Sequence, residues 1–294
     1  MRAGGNPWLL RLADAGGTSE VVLKTGEVTA DLDRRQLITT VTALELAADH
    51  ALPAPRLIAA DLDGSAAGTM AVLMTVLPGS STIPRVTSAA RLRALGAAAG
   101  ALQRIALAPR PGLELRTRAL YDMNFTDWRR SAGTSQLLAR AEEQIASLPV
   151  PDGELVFVHG DLWQGNTIWS GDSCSGMIDW DAAGAGSPGI DLGTLRLDVA
   201  LFFGSSALEP SEGSSGPGSS AAGEVLAGWQ QAAGRQAEHV AYWDVAAALC
   251  TVGDMAYCLP GDLVGELGRP DLNAAILTAR RDAFLAAALD QLDS

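Results

Sequence analysis

Positive charge is scarce in this chain of 294 residues, and almost none of it comes from lysine. The sequence has 21 basic side chains against 34 acidic ones, which gives a formal charge of −13, and Lys24 is its single lysine. An acidic surface repels phosphate, so the composition argues against nucleic acids and anionic membranes as partners. The composition is compatible with a cationic small molecule.

Cysteine and long apolar runs are also lacking. The three cysteines include no CxxC pair, so neither a disulfide framework nor a zinc ribbon is indicated. No segment reaches the roughly 18 uninterrupted apolar residues of a membrane span, and the N-terminal apolar run is too short for a signal peptide. Hydrophobic residues nevertheless make up 48% of the chain, enough for a large core. The composition predicts a globular, cytoplasmic protein.

The first part of the chain is predicted to form strands around one helix. Apolar patterning predicts strands at residues 8–12, 20–25, 56–61 and 70–76, and a hairpin turn at Gly16-Gly17. Apolar residues recur at helical spacing between residues 32 and 50. The Pro-Gly-Ser-Ser segment at 78–81 predicts a lobe boundary, with residues 1–78 in one lobe and residues 79–294 in the other.

The second part of the chain is predicted to be mainly helical. Helices are expected at 88–106 and 136–148 and from residues 190, 223 and 239 onward, with strands at 155–158, 167–169 and 176–180. Residues 204–222, rich in Ser, Gly and Pro, are predicted to be a surface loop. The prediction is an α+β chain, with a small antiparallel β-rich N-lobe before a larger helical C-lobe.

Residues that can carry out chemistry are concentrated in one segment, 155–191. A buried strand leads into His-Gly-Asp at 159–161, Asn166 follows five residues after Asp161, and a hairpin leads to Ile-Asp-Trp-Asp at 178–181. Phosphoryl transfer needs such a set, because a carboxylate receives the proton of the attacking hydroxyl and hard oxygen ligands hold Mg²⁺.

The spacing of these residues matches the catalytic loop of kinases. The pattern H-R-D-L-x-x-x-N fits His159 to Asn166 at every fixed position except Gly160, which replaces Arg. Asp179 falls where the magnesium-binding aspartate of D-F-G would lie. Upstream, Val-Val-Leu-Lys ends at Lys24 as V-A-I-K ends at the phosphate-binding lysine. A single lysine among arginines fits a site that needs a compact ammonium group.

On these residues the sequence resembles the aminoglycoside phosphotransferase family, small-molecule kinases with a protein-kinase-like bilobal fold. The shared features are the His-Gly-Asp-x4-Asn loop, the Ile-Asp-Trp-Asp strand and the later Pro-x-x-Asp at 188–191. The resemblance implies that Asp161 is the catalytic base and that Asn166 and Asp179 bind Mg²⁺. It also implies that Lys24 binds phosphate and that ATP or GTP donates the phosphoryl group.

The resemblance extends to the segment that would hold the nucleotide base. Residues 72–79 look like the family's hinge, where the backbone of Thr75 and Leu77 would hydrogen-bond the adenine and Met74 would line the pocket. Ile178, next to the metal-binding aspartate, is a further expected nucleotide contact.

Two departures from the family leave an alternative open. The phosphate-covering loop corresponds only to residues 4–6, so either the loop is shortened or the true start lies upstream. The helix glutamate that should pair with Lys24 is missing near Thr39 and Thr40. Glu45 lies about a turn too late and is not assigned this role. These departures favour, as an alternative, a nucleotide-binding pseudokinase with a regulatory role. The joint presence of Lys24, a catalytic aspartate and two metal ligands favours an enzyme.

The resemblance implies that the acceptor is a small hydroxylated molecule, such as an aminoglycoside or an amino sugar, with a mild preference for a cationic one, bound near residues 195–260. Four acidic residues in or near that region are candidate anchors for a cation: Asp198, Glu224, Asp244 and Asp254.

Three further residues or segments are given structural roles. Asp191 is expected to brace the catalytic loop by accepting backbone N–H groups, and His159 to support the same loop. The pattern Gly-x-Gly-x-x-Gly at 184–189 is interpreted as a flexible connector rather than a dinucleotide fingerprint, because two aspartates just before it would repel a pyrophosphate.

The isolated lysine gives a first prediction. Lys24→Arg retains the positive charge but replaces a compact ammonium with a planar guanidinium, so turnover should fall. Steady-state rates of acceptor-dependent ADP release measure the change. A wild-type rate in this variant would show that the single lysine has no special role.

Overall fold

A computed structural model describes residues 7–14, 17–204, 220–258 and 268–293. Residues 4–6, Gly16, most of the predicted loop at 204–222 and the side chain of Cys258 lie outside the described part of the chain. No helix in the described ranges is long and apolar enough to span a bilayer.

The chain begins with a four-stranded antiparallel sheet and one helix. The strands run in the order β1-β2-β4-β3, and each neighbouring pair is antiparallel. Their bounds are Trp8–Asp14 (β1), Gly17–Gly26 (β2), Leu57–Asp61 (β3) and Met70–Thr75 (β4), and helix α1 spans Asp31–Asp49 between β2 and β3. In β4 alternate residues are buried, from Met70 to Met74, as a strand with one face on a core requires. The strands and the helix predicted for this part are confirmed.

The rest of the chain is mainly helical. Its helices in the described ranges are α2 (Ala89–Leu102), α3 (Phe125–Ala132), α4 (Gln136–Ala146), α5 (Gly189–Phe203), α6 (Ala221–Ala233), α7 (Val240–Ala248) and α8 (Ala274–Leu292). Almost every residue of α5 is buried, and this helix contacts α2, α6, α7 and α8. Helix α5 is therefore an apolar helix surrounded by other helices, and it can support the residues that come just before it in the chain.

Two short sheets lie in the second, mainly helical part of the chain. Strands β7 (Thr167–Ser170) and β8 (Ser173–Met177) form a hairpin. Strands β5 (Leu115–Arg116), β9 (Gly184–Gly186) and β6 (Val156–Val158) form the other sheet in that order, with β9 in the middle.

The predicted flexible connector at residues 184–189 is therefore wrong. Residues 184–186 form the buried central strand β9, and residue 189 begins α5. The close approach of a neighbouring chain explains why glycine is needed here, since a Cβ on Gly184 would lie 2.4 Å from the carbonyl oxygen of Glu114. The glycines allow tight packing rather than flexibility. Helix α3 and strands β5 and β9 were not predicted.

Two predicted element bounds are also corrected. The strand predicted at 176–180 ends at Met177, and residues from Trp180 to Ala182 form a short 3-10 turn. The cause is Asp179, whose φ of 67° places it in the left-handed region and ends the extended conformation.

The helix predicted from residue 239 to the C-terminus is interrupted, because α7 ends at Ala248 and α8 begins at Ala274. Two buried guanidinium groups bind the backbone just after α7. Arg129 donates to the carbonyls of Leu249 and Thr251, and Arg281 donates to those of Val252 (2.7 Å) and Gly253 (3.0 Å). These contacts satisfy carbonyls that have no helical partner beyond the end of α7, and so they stabilise the non-helical course of residues 249–253.

Helices α2 and α6 make the closest helix contact in this half, and glycines allow it. A Cβ on Gly96 would lie 1.9 Å from the carbonyl oxygen of Val225, and one on Gly228 would lie 2.0 Å from that of Arg93. Neither position can accept even a methyl group without separating the two backbones.

Gly96→Ala should therefore lower the free energy of unfolding by about 2 kcal/mol or more, because the helices must separate. Gly153→Ala is the matched control, since a Cβ there meets nothing within 4 Å. Chemical denaturation of both variants measures the difference. Equal stability would contradict the close packing of α2 against α6.

Candidate active site

The catalytic loop follows β6 and is fixed by the first turn of α5. One carboxylate oxygen of Asp191 accepts the backbone N–H of His159 (2.7 Å), and the other accepts that of Gly160 (2.9 Å). Gly160 has a φ of 78°, and a Cβ there would lie 2.1 Å from the carbonyl oxygen of Ala182. Glycine is needed in place of the arginine of protein kinases for both reasons. The bracing role predicted for Asp191 is confirmed.

The side chain of His159 packs against the catalytic loop and supports it. Its buried ring lies 4.5 Å from the ring of Trp180, and Nε2 forms a hydrogen bond with the carbonyl oxygen of Ile178 (2.9 Å). Burial lowers the pKa of His159 to about 4. The ring is therefore neutral, with Nε2–H donating to Ile178 while Nδ1 accepts from the backbone N–H of Asp161 (3.4 Å). The supporting role predicted for His159 is confirmed.

Asp161 and Asn166 lie side by side at the end of this loop. The amide nitrogen of Asn166 donates to the backbone oxygen of Asp161 (2.8 Å) and to its carboxylate (3.0 Å). Burial raises the pKa of Asp161 well above its usual value, and the charges of Asp179 and Asp181 raise it further. A carboxylate with a raised pKa is a better proton acceptor near neutral pH.

Lys24 reaches across from the antiparallel sheet to the same place. Its ammonium group pairs with Asp179 and with Asp181, the second at 3.3 Å. Burial alone would lower the pKa of Lys24, but the two carboxylates and their hydrogen bonds raise it overall. The lysine, the base and both expected metal ligands are thus brought together from three separate segments.

The donor set around Asp179 suits a hard divalent cation. Carboxylate oxygens come from Asp179 and Asp181. Asn166 points its amide nitrogen at Asp161, and no hydrogen bond among the described residues involves its amide oxygen. Oxygen ligands of this kind, completed by nucleotide phosphates and water, are what Mg²⁺ takes in phosphotransferases. Within the described residues, no group of three or more His, Cys, Asp or Glu side chains is arranged to hold a metal. A metal here would therefore depend on the amide and on the phosphates.

The expected hinge residues lie on and just after β4. Met74 is buried in the main hydrophobic core. The N–H of Thr75 donates to the carbonyl of Arg56 (2.9 Å), so only its carbonyl oxygen can serve an adenine. Thr75 and Leu77 line a cavity of about 420 Å³ next to the end of α1. Ile178 uses both backbone groups within the site, bonding Asn166 and His159, which leaves its side chain for a nucleotide.

Helix α1 contributes one acid, Asp33, to the cleft at Lys24, and among the described residues it forms no ion pair with the lysine. That cleft is bounded on the helix side by Gln36, Thr40 and Asp33, and Glu45 is exposed on another face of α1. Asp33 hydrogen-bonds the backbone N–H of Glu27 instead (2.9 Å). The aspartates at 179 and 181 take the place of the missing helix glutamate.

A cavity of about 310 Å³ opens beside Asp161. Its walls are built from the loop before α3, the middle of α5 and the segment after α7. Most of the lining is apolar and aromatic, including Leu120, Phe125, Trp128, Trp163, Leu197 and Phe202. The cavity lies where an acceptor hydroxyl could reach the carboxylate of Asp161.

Three of the four acidic residues expected as acceptor anchors do not line this cavity. Glu224 pairs with Arg93 (2.6 Å), and Asp244 with the guanidinium of Arg196 (2.8 Å). Asp254 is exposed and accepts a backbone N–H in its own turn. Asp198 alone of the four borders the cavity. The first two anchors are therefore ruled out by their arginine partners, which the sequence could not reveal.

Sequence reasoning missed two residues next to the catalytic loop. Gln164 donates to Asp198 through both its backbone N–H (3.2 Å) and its side chain (2.8 Å), which joins the loop to α5. Arg116, also buried, donates to the carbonyls of Ala182 (2.9 Å) and Ala183 (2.7 Å) and so holds the segment after Asp181. The spacing of Asp198 from Asp191 by two helical turns was the available signal for the first contact.

Small-molecule kinases with a protein-kinase-like bilobal α+β fold are the class that this fold and this site define. The chain matches the phosphotransferase enzyme family over residues 3–238, and it belongs to that family. It is accordingly a phosphotransferase that acts on hydroxyl groups of small molecules, and the expected fold class is confirmed.

Solved structures share this fold at low sequence identity. A protein of Ralstonia eutropha JMP134 assigned to the aminoglycoside phosphotransferases is similar with a TM-score of 0.59 and 13% identity, covering 98% of this chain and 94% of that one. An amicoumacin kinase in complex with AMP-PNP and Ca²⁺ has a TM-score of 0.55 and 16% identity, with 98% and 87% covered. A macrolide 2′-phosphotransferase of Brachybacterium faecium has a TM-score of 0.54 and 18% identity, with 98% and 90% covered. No curated protein matches the chain.

Asp191→Asn should weaken both the loop and the fold. The amide keeps one acceptor, but its NH₂ group faces a backbone N–H that the carboxylate had bound. Losing one charge-assisted hydrogen bond costs about 2 kcal/mol, and the displaced loop should lower kcat. Asp152→Asn, at an exposed position, is the control. Unfolding curves and turnover indistinguishable between the two variants would show that Asp191 does not hold the loop.

Proposed function

We propose that the protein is an ATP-dependent O-phosphotransferase (with GTP as the other possible donor) that transfers the γ-phosphoryl group to a hydroxyl of a small molecule. The observation that carries this proposal is the convergence of the Asp161–Asn166 pair and the Lys24–Asp179–Asp181 cluster at the mouth of one cavity. One side of the site suits a triphosphate and the other an acceptor.

In the proposed reaction Asp161 orients the acceptor hydroxyl and receives its proton. The acceptor oxygen forms a bond to the γ-phosphorus, the bond from that phosphorus to the β,γ-bridging oxygen breaks, and ADP leaves with the electron pair. The raised pKa of Asp161, caused first by burial, supports its role as the base. Most of the rate would come from positioning and from charge neutralisation.

Lys24 is proposed to bind the α- and β-phosphates, exchanging its two aspartate partners for phosphate oxygens. Asn166 and Asp179 would hold Mg²⁺, which neutralises the charge on the transferring group. The amicoumacin kinase of similar fold, with AMP-PNP and Ca²⁺ bound, supports a nucleotide and a divalent ion in this fold. The carbonyl of Thr75 and the backbone of Leu77 are proposed to bind the adenine, beside Met74 and the side chain of Ile178.

We also propose that residues 1–78 form the nucleotide-binding lobe and residues 79–294 the lobe that carries the catalytic loop and the acceptor site. The antiparallel sheet ends at Thr75 and the next regular element, α2, begins at Ala89, which supports this division.

The alternative, a pseudokinase, is not favoured by the site. The helix glutamate is absent, but the lysine has two acidic partners from the catalytic segment instead. The base, the amide and the metal-binding aspartate are all present and in contact with one another or with Lys24.

The decisive variant is Asp161→Asn. It preserves the shape of the site but removes the proton acceptor, so acceptor-dependent ADP formation should fall at least about 100-fold, while Mg-ATP binding changes little. The assay measures ADP release against aminoglycosides, macrolides, amino sugars, choline and homoserine.

Glu238→Gln is the control, because it removes one carboxylate at an exposed position. Turnover of Asp161→Asn at the rate of this control would rule out Asp161 as the base. ATP binding without transfer to any acceptor, in the wild type, would favour the pseudokinase.

A further inference from the structure

The cavity beside Asp161 has a lining that limits what it can bind. Apolar and aromatic side chains predominate, and no Lys, Arg or His of the described residues borders it. Its volume of about 310 Å³ is at the lower end of the range for small-molecule sites. Such a cavity suits a compact molecule with an apolar body and excludes most of an oligosaccharide.

Five carboxylates border the cavity, but most are already engaged. Asp179 and Asp181 pair with Lys24, and Asp122 lies 3.7 Å from the guanidinium of Arg35. Asp161 is the proposed base. This leaves one carboxylate, that of Asp198, to bind a charged group of the acceptor.

Asp198 is only 6% exposed, and among the described residues no cation forms an ion pair with it, although the charge of Arg269 lowers its pKa somewhat. Both hydrogen bonds that it accepts from described residues come from Gln164 and reach the same oxygen, Oδ2. Oδ1 therefore remains for a ligand. Burial raises the pKa of Asp198 to about 7, so a cation bound at this carboxylate would favour its charged form.

The position of Asp198 relative to the base sets the size of the acceptor. Asp198 bonds the backbone N–H of Gln164, three residues beyond Asp161. Three extended residues span at most about 11 Å. A hydroxyl at Asp161 and a cation at Asp198 must therefore belong to one compact molecule.

Resting on the proposed function, we propose that the acceptor is a monobasic amphiphilic alcohol. Its apolar, ring-sized body fills the cavity, its hydroxyl meets Asp161, and its single ammonium group is bound by Asp198. A polycationic aminoglycoside does not fit this chemistry, because the cavity offers one unpaired anchor and a mainly apolar wall.

The test is a binding experiment that does not depend on catalysis. Calorimetry with the Asp161→Asn protein, in the presence of Mg-AMP-PNP, compares three probes. Propranolol has an aromatic body, a hydroxyl and one ammonium group. 1-(1-Naphthyloxy)propan-2-ol has the same body and hydroxyl without the amine, and kanamycin is a polycationic sugar.

Propranolol should bind about tenfold or more tightly than its neutral counterpart, as a charge-assisted contact predicts, and more tightly than kanamycin. Adding Asp198→Asn should abolish the preference for the amine, since its amide can still accept from Gln164 while the charge is lost. Adding Glu45→Gln instead, at an exposed site on α1, should leave that preference unchanged.

Equal affinity of the Asp161→Asn protein for propranolol and for its neutral counterpart would overturn Asp198 as the anchor. This result would hold even if the Asp198→Asn variant failed to fold. Tighter binding of kanamycin, or no binding of propranolol at millimolar concentration, would overturn the amphiphilic acceptor. The expected binding pattern combined with a wild-type protein that forms no ADP would leave the binding inference standing and reject the proposed function.

Discussion

The two hydrogen bonds from Asp191 to the backbone of His159 and Gly160 join the central helix α5 to the catalytic loop. Because α5 is buried on nearly all sides, its first turn is a rigid point of attachment, and the loop inherits that rigidity. His159 then packs beneath the loop and binds Ile178, which brings the next segment alongside. The position of Asp161 is therefore set by the core of the helical half rather than by the loop's own sequence.

Negative charge is concentrated at the point where the two halves of the site meet. The charges of Asp179 and Asp181 lie close enough to Asp161 to raise its pKa. Lys24 forms ion pairs with Asp179 and Asp181. Like charges a few ångströms apart repel by several kcal/mol at a partly buried site. Cations therefore stabilise this region, which fits the proposed binding of a metal-bound triphosphate.

The cavity proposed to bind the acceptor follows a different physical rule. Its wall is apolar, and its shape depends on where helix α7 stops and how the following residues are held. Arg129 and Arg281 bind the carbonyls of that segment and so keep Cys250 and Thr251 at the cavity. Apolar walls supply affinity through burial, whereas a single buried carboxylate supplies orientation. Changes in the wall would alter which acceptor binds without changing the transfer chemistry.

Local sequence patterns determine much of the secondary structure and the kinase-like loop of this protein. The alternation of β4, the periodicity of α1 and the spacing from Asp161 to Asn166 depend on residues near one another in the chain, so the sequence alone indicated the β-rich start and the kinase-like loop. The tertiary structure decided the rest, because it depends on contacts between distant segments. Glycine is required at residue 184 because the carbonyl oxygen of Glu114 lies 2.4 Å from where a Cβ would stand, and the segment after α7 is held by Arg281, which binds the carbonyl of Val252. Which acidic residues remain free for an acceptor is likewise settled by the distant arginines that neutralise the others, since a charge is available to a ligand only where no partner in the fold has bound it.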